Sequence, residues 1–144
     1  MSFVRYLAPR LSLAAFVFAA GCGGSEGGGG AGGGLATGNV CPAGGTTLAY
    51  TGGSNPASFG KTFFDGKCVL CHDSAKSGLD RNSAPEGFNY DTLAGIKAHL
   101  ARIDARAALG PTSTVPSMPP STAGVTVADA DRQRLGEWLA CGAP

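Results

Sequence analysis

Charge is scarce in this 144-residue chain: 15% of its residues are Asp, Glu, Lys or Arg, and 11 basic against 10 acidic groups leave a formal net charge of +1. Binders of nucleic acid usually carry a concentrated basic surface, so this balance argues against DNA or RNA as partner. Past Val40 the charges cancel, with nine groups of each sign. Histidine is scarcer still, limited to His72 and His99, and methionine to Met1 and Met118. A structural zinc site wants a second Cys/His pair at ligand spacing, and none is present. Long apolar runs are also missing. The best of them, Leu11 to Ala20, is too short to cross a hydrocarbon core of about 30 Å as a helix. At this length one domain is expected.

What is present is unevenly spread. Ten of the 24 glycines fall between Gly21 and Gly34. Residues 1–21 combine Arg5 and Arg10 with the short apolar run, the pattern of a secretory signal peptide. The run ends in Ala19-Ala20-Gly21-Cys22, which resembles the lipobox of bacterial lipoproteins. That resemblance implies that Cys22 is acylated and becomes the mature N-terminus; Ala19-x-Gly21 also reads as an ordinary small-residue cleavage site. Residues 22–40 are expected to be a Gly-rich tether, since Gly and Ala bury too little surface to offset the entropy of ordering them. Roughly 15–20 such residues span some 20–25 Å as a coil.

From Cys41 to Pro144 the composition is that of a globular domain, and one motif in it carries chemistry: Cys68-Val69-Leu70-Cys71-His72. This is the CxxCH pattern of covalent c-type haem attachment. On one helical turn, residues three and four apart face the same way, so both sulfurs can form thioethers with the haem vinyl groups while the imidazole reaches the iron. A thioredoxin-like thiol pair would want a βαβ context, and the surroundings here read as helical. For the second axial position the candidates are Met118, His99 or no side chain at all, because Met1 leaves with the signal peptide. Met118 stands in Val115-Pro116-Ser117-Met118-Pro119-Pro120, where prolines hold the backbone extended, as a loop presenting a soft thioether to a metal requires. His99 reads as a partly exposed helix histidine.

The haem motif followed by Met118-Pro119-Pro120, with a helix before it and a Trp-bearing helix at the end, resembles a small class I cytochrome c over residues 58–143. The resemblance implies an all-α fold of about three to four helices around one haem c, with His72 and Met118 as axial ligands. It also implies that Gly60 and Phe64 of an early helix pack against Trp138 of the last one, and that Pro85 gives its carbonyl to His72. Phe64, Trp138, Pro85 and Arg102 are thus candidate haem-pocket residues.

Local signals outline the helices independently. Phe59 to Phe64 leads into the motif, and Gly60 within it marks a close backbone approach. A middle helix is predicted from Thr92, capped by Asp91, to Leu109, where Gly110-Pro111 stops it. Leu93, Ile96, Leu100, Ile103 and Ala107 form its apolar stripe. Arg102 and Arg106, one turn apart, lie within reach of a haem propionate or form a solvated face. The last helix is predicted to open at Thr126-Val127-Ala128-Asp129, a capping-box pattern, and to bury Ala128, Leu135, Trp138 and Leu139. With lipid on Cys22 and haem on Cys68 and Cys71, Cys41 and Cys141 are left to pair in an oxidising compartment. Residues 42–55, with Thr46 to Tyr50 between glycine pairs, read as a short strand or an extended strap. The expected protein is a periplasmic one-electron carrier, not an enzyme, anchored to a membrane by lipid and exchanging electrons with redox partner proteins. A haem-based ligand sensor and the haem subunit of a larger oxidoreductase are the alternatives.

Overall fold

The computed structural model describes residues 34–144; the expected signal peptide, Cys22 and the tether through residue 33 lie outside the described residues. Four α-helices carry the described chain: α1 (Gly60–Lys67), α2 (Leu93–Lys97), α3 (Leu100–Ala107) and α4 (Asp129–Ala140). Single 3-10 turns occur at Gly78–Arg81 and Ser121–Ala123, and no sheet forms among the described residues. The helical class expected from the sequence is therefore the observed one. None of the described helices is long and apolar enough to cross a membrane.

The core is an aromatic knot between α1 and α4. Phe59, Phe63, Phe64 and Trp138 are all buried, with the Phe64 and Trp138 rings 6.0 Å apart and Phe59 edge-on to Trp138 at 6.4 Å. Gly60 makes this approach possible: a Cβ there would lie 2.6 Å from Cζ2 of Trp138, inside any allowed contact. Gly60, Phe64 and Trp138 thus meet as expected. Leu135 and Leu139 extend the knot toward Ile103 and Ala107 of α3.

The middle helix differs from expectation. Two helices stand where one was predicted, because His99 leaves the helical region (φ −130°, ψ 23°). Its ring packs 4.6 Å from Phe88 and its Nε2 lies 3.2 Å from the Gly87 carbonyl, so tertiary contacts outweigh one turn of helix. The apolar stripe survives the break, with Ile96, Ile103 and Ala107 buried and Leu93 and Leu100 packed against them. The cap is Thr92, whose Oγ1 accepts from Gly95 N at 3.1 Å; Asp91 instead accepts from Ser74 Oγ at 2.6 Å. The capping box of the last helix does not form either. That helix begins at Asp129 behind Ala128, which offers no side-chain acceptor, and Asp129 and Asp131 face the helix dipole in its first turn. Ala128 is exposed, and Val127 takes the buried position expected for it.

Residues 35–50 form a strap, not a strand, and it starts inside the span expected to be tether. Thr37 is fully buried, its N and Oγ1 donating to the two carboxylate oxygens of buried Asp104 at 2.9 and 2.6 Å. Asn39 Nδ2 donates to Leu109 O at 2.9 Å, and Thr46 Oγ1 to Glu137 Oε1 at 2.6 Å. Cys41 is bonded to Cys141 across 100 residues of sequence, with Cα atoms 4.7 Å apart, the pairing that the cysteine arithmetic anticipates. The strap ends where Ala49 bridges Ser58 and Tyr50 N donates to Pro144 O at 2.8 Å.

Candidate functional site

One cavity, about 350 Å³ in volume, gathers the residues of the motif and the distant methionine. Cys68 is the C-cap of α1, so the helix that builds the aromatic knot also delivers the motif. The turn that follows is closed by Cys71 N and His72 N, which donate to Cys68 O at 3.1 and 3.0 Å. Cys68, Cys71 and His72 all line the cavity, as does Met118, which comes from the loop between α3 and α4. The two cysteines are not disulfide-bonded. Burial pushes the Cys68 thiol up to about 12.

His72 is half-buried and held on two sides. Its Nδ1 lies 2.8 Å from Phe88 O, and its ring stacks on Tyr90 with centroids 4.5 Å apart. A carbonyl can only accept, so Nδ1 carries the proton and Nε2 carries the lone pair, the tautomer a metal-ligating imidazole requires. Desolvation lowers the His72 pKa from its ordinary value against the opposing Phe88 hydrogen bond, which keeps the ring neutral near pH 7. Burial likewise pushes the Tyr90 phenol up to about 12. The carbonyl on His72 is that of Phe88, not of Pro85 as the resemblance implies. Pro85 lines the cavity, but its carbonyl accepts from Arg81 Nη2 at 2.9 Å.

Met118 is held through its backbone. Its N donates to Arg106 O at 2.8 Å and its O accepts from Arg132 Nη1 at 2.6 Å, while its side chain keeps 41% exposure. Arg132 is buried and reaches Ala107 O at 2.8 Å as well, tying the Met118 loop to the end of α3. The other expected pocket residues divide. Phe64 and Arg102 line the cavity, with the Arg102 guanidinium 4.6 Å from the centre of the Phe88 ring. Trp138 does not line it; it stands behind the wall, against Gly60. His99 is outside the lining as well.

The donor set fits a haem. Phe63, Ile103 and Ala107 give the cavity apolar walls, and Lys67, Arg102 and Arg106 are its charged lining, with no carboxylate among the lining residues. A flat apolar macrocycle bearing carboxylate groups matches that combination. Among the described residues no three His, Cys, Asp or Glu side chains gather to hold a bare metal ion. A zinc site needs three or four such ligands, whereas an iron already held by a macrocycle needs only axial ones.

Sequence reasoning missed Arg81, Tyr90, Phe88 and Arg132. Tyr90 and Phe88 carry a weak signal, being aromatics shortly after the motif. The two arginines carry none, because their partners are backbone carbonyls and, for Arg81, the Asn89 amide oxygen. Comparisons with family models, curated proteins and solved structures find no match to this chain.

Proposed function

We propose that this protein is an exported one-electron carrier with a class I cytochrome c-like domain, tethered to a membrane through acylated Cys22. One haem c would be held by thioether bonds to Cys68 and Cys71, with His72 and Met118 as its iron ligands. The observation that supports this most is the convergence of all four side chains on one apolar cavity from two distant segments of the chain. A haem iron held there would supply one-electron redox chemistry, at a higher potential under His72/Met118 ligation than under bis-histidine ligation.

The chain's own residues set the conditions. Phe88 and Tyr90 orient the His72 ring and fix its tautomer. Phe63, Phe64 and Ile103 keep water from the site, and Arg102 and Arg106 place positive charge where carboxylates of the group can meet it. The lining offers no carboxylate to act with His72 as an acid–base pair, which suits electron transfer better than proton-coupled catalysis. The 41% exposure of Met118 favours the ligand-sensor reading as second choice, since an exposed thioether is easily displaced. Optical spectra of the oxidised and reduced protein separate the two. A methionine–iron charge-transfer band, with no carbon monoxide binding to the reduced wild type, supports the carrier; a missing band with ready carbon monoxide binding supports the sensor.

A further inference from the structure

Arg81 is the most fully buried cation of the described chain, with 1% exposure at the end of the Gly78–Arg81 turn. No carboxylate pairs with it; the described ion pairs are Lys61–Asp65 and Arg134–Asp131. Its donors go instead to five backbone carbonyls and one amide oxygen. Nη1 reaches Asp73 O at 2.8 Å, Lys76 O at 3.3 Å and Asn89 Oδ1 at 3.0 Å. Nε reaches Ala84 O at 3.2 Å, and Nη2 reaches Pro85 O at 2.9 Å and Phe88 O at 3.1 Å. Burying a guanidinium without a carboxylate paired directly to it is costly even when every donor is satisfied. Stapling a loop does not by itself require a charge, because neutral amides can also donate to carbonyls. The position of the charge is the distinctive feature.

The Phe88 carbonyl serves two donors at once, Arg81 Nη2 at 3.1 Å and His72 Nδ1 at 2.8 Å. We propose that Arg81 is a positioning residue that sets the donor strength of His72 by sharing the Phe88 carbonyl and by placing a permanent positive charge behind the imidazole. This rests on the haem reading given above. The partner of a ligating histidine's outer N–H tunes ligand basicity: the stronger the acceptor, the more electron density the imidazole gives its metal. A carbonyl oxygen already bonded to a guanidinium accepts less strongly from Nδ1–H, so Arg81 moderates the imidazole. Both effects disfavour the ferric state relative to the ferrous one, and both raise the reduction potential.

The test compares the haem-loaded wild type with Arg81→Lys, Arg81→Met and Asn89→Ala, measuring midpoint potential and melting temperature for each. The Arg81→Met potential should fall, with Arg81→Lys between it and the wild type. Asn89→Ala removes one Arg81 partner yet leaves the Phe88 contact, so it should melt lower with its potential unchanged. An Arg81→Met protein that melts lower at the wild-type potential would make Arg81 a loop staple and overturn the proposal. So would an Asn89→Ala potential that falls as far as that of Arg81→Met. If neither Arg81 variant folds, the reduced wild type decides by nuclear magnetic resonance. Slowly exchanging Arg81 guanidinium protons with a cross-peak to the His72 Nδ1 proton are expected, and their absence overturns the sharing. A wild type lacking covalent haem is a separate result, which removes the functional reading itself.

Discussion

The two walls of the cavity hold their proposed ligands, His72 and Met118, by different means. On one, the His72 side chain itself is fixed, by Phe88 O at 2.8 Å and the Tyr90 ring at 4.5 Å. On the other, only the Met118 backbone is fixed, through Arg106 O and Arg132 Nη1, and the side chain is left partly exposed. The chemistry of the two side chains explains the contrast. An imidazole has a second nitrogen by which a neighbour can orient it; a thioether has no donor and accepts only weakly, so the protein can place it only by placing the chain. The His72 wall is thus built for permanence, and the Met118 wall depends on the loop around it.

The largest expected effect breaks the symmetry between His72 and Met118. His72→Ala should leave a protein that fails to mature into a stable low-spin haem protein. Met118→Ala should keep its haem, lose the methionine–iron band and bind carbon monoxide when reduced. Equal damage from both, seen in haem-stained gels and carbon monoxide difference spectra, would erase the distinction between the walls.

Next comes the strap, none of whose residues lines the cavity. Replacing Cys41 and Cys141 together by Ala should lower stability by up to about 4.7 kcal/mol, the chain-entropy value for a loop near 100 residues. Denaturant titration checks the loss, and the haem spectrum should be unaltered. A changed spectrum would show that the strap supports one of the walls.

Arg132→Met is the smaller, more pointed change. It strips a donor from both Ala107 O and Met118 O and should cost about 1.5–3 kcal/mol, typical of a hydrogen bond from a charged group. The methionine–iron band should weaken while the His72 wall is unaffected, as read from the potential and the band intensity together.

These contrasts also show which features the sequence displays. Cys68, Cys71 and His72 are visible because their spacing matches the haem-attachment pattern, and Met118 because prolines surround the only methionine besides Met1. Gly60 and Trp138 are visible because a glycine within a helix signals a close approach. Arg81 and Arg132 are not, since a backbone carbonyl is offered by every residue and leaves no mark on the sequence. The break at His99 is hidden for a similar reason: the apolar stripe continues through it, and the contacts that pull the ring aside come from Gly87 and Phe88. The missing capping box shows that a pattern at Thr126 has no effect when the first turn starts three residues later.

The smallest expected effect lies on the His72 side, in the exposed clasp between Ser74 and Asp91. The Ser74 hydrogen bond holds the Asp91 pKa below its ordinary 3.8, so the clasp contributes stability above that value and loses it as the pH falls through the lowered one. Asp91→Asn should flatten the acid end of a melting-temperature profile slightly, because the pair is exposed and screened. No change between pH 2 and 5, roughly the span of ordinary carboxylate titration, would mean that the clasp is idle.

The central claim, that Cys68 and Cys71 carry a covalent haem, is tested most directly by the intact mass of the protein after export in a host able to attach c-type haem. The expected mass is that of the processed chain plus one haem, with the added mass retained on the peptide containing Cys68 to His72. A processed chain at its bare mass, with both thiols free to alkylate, would contradict the account.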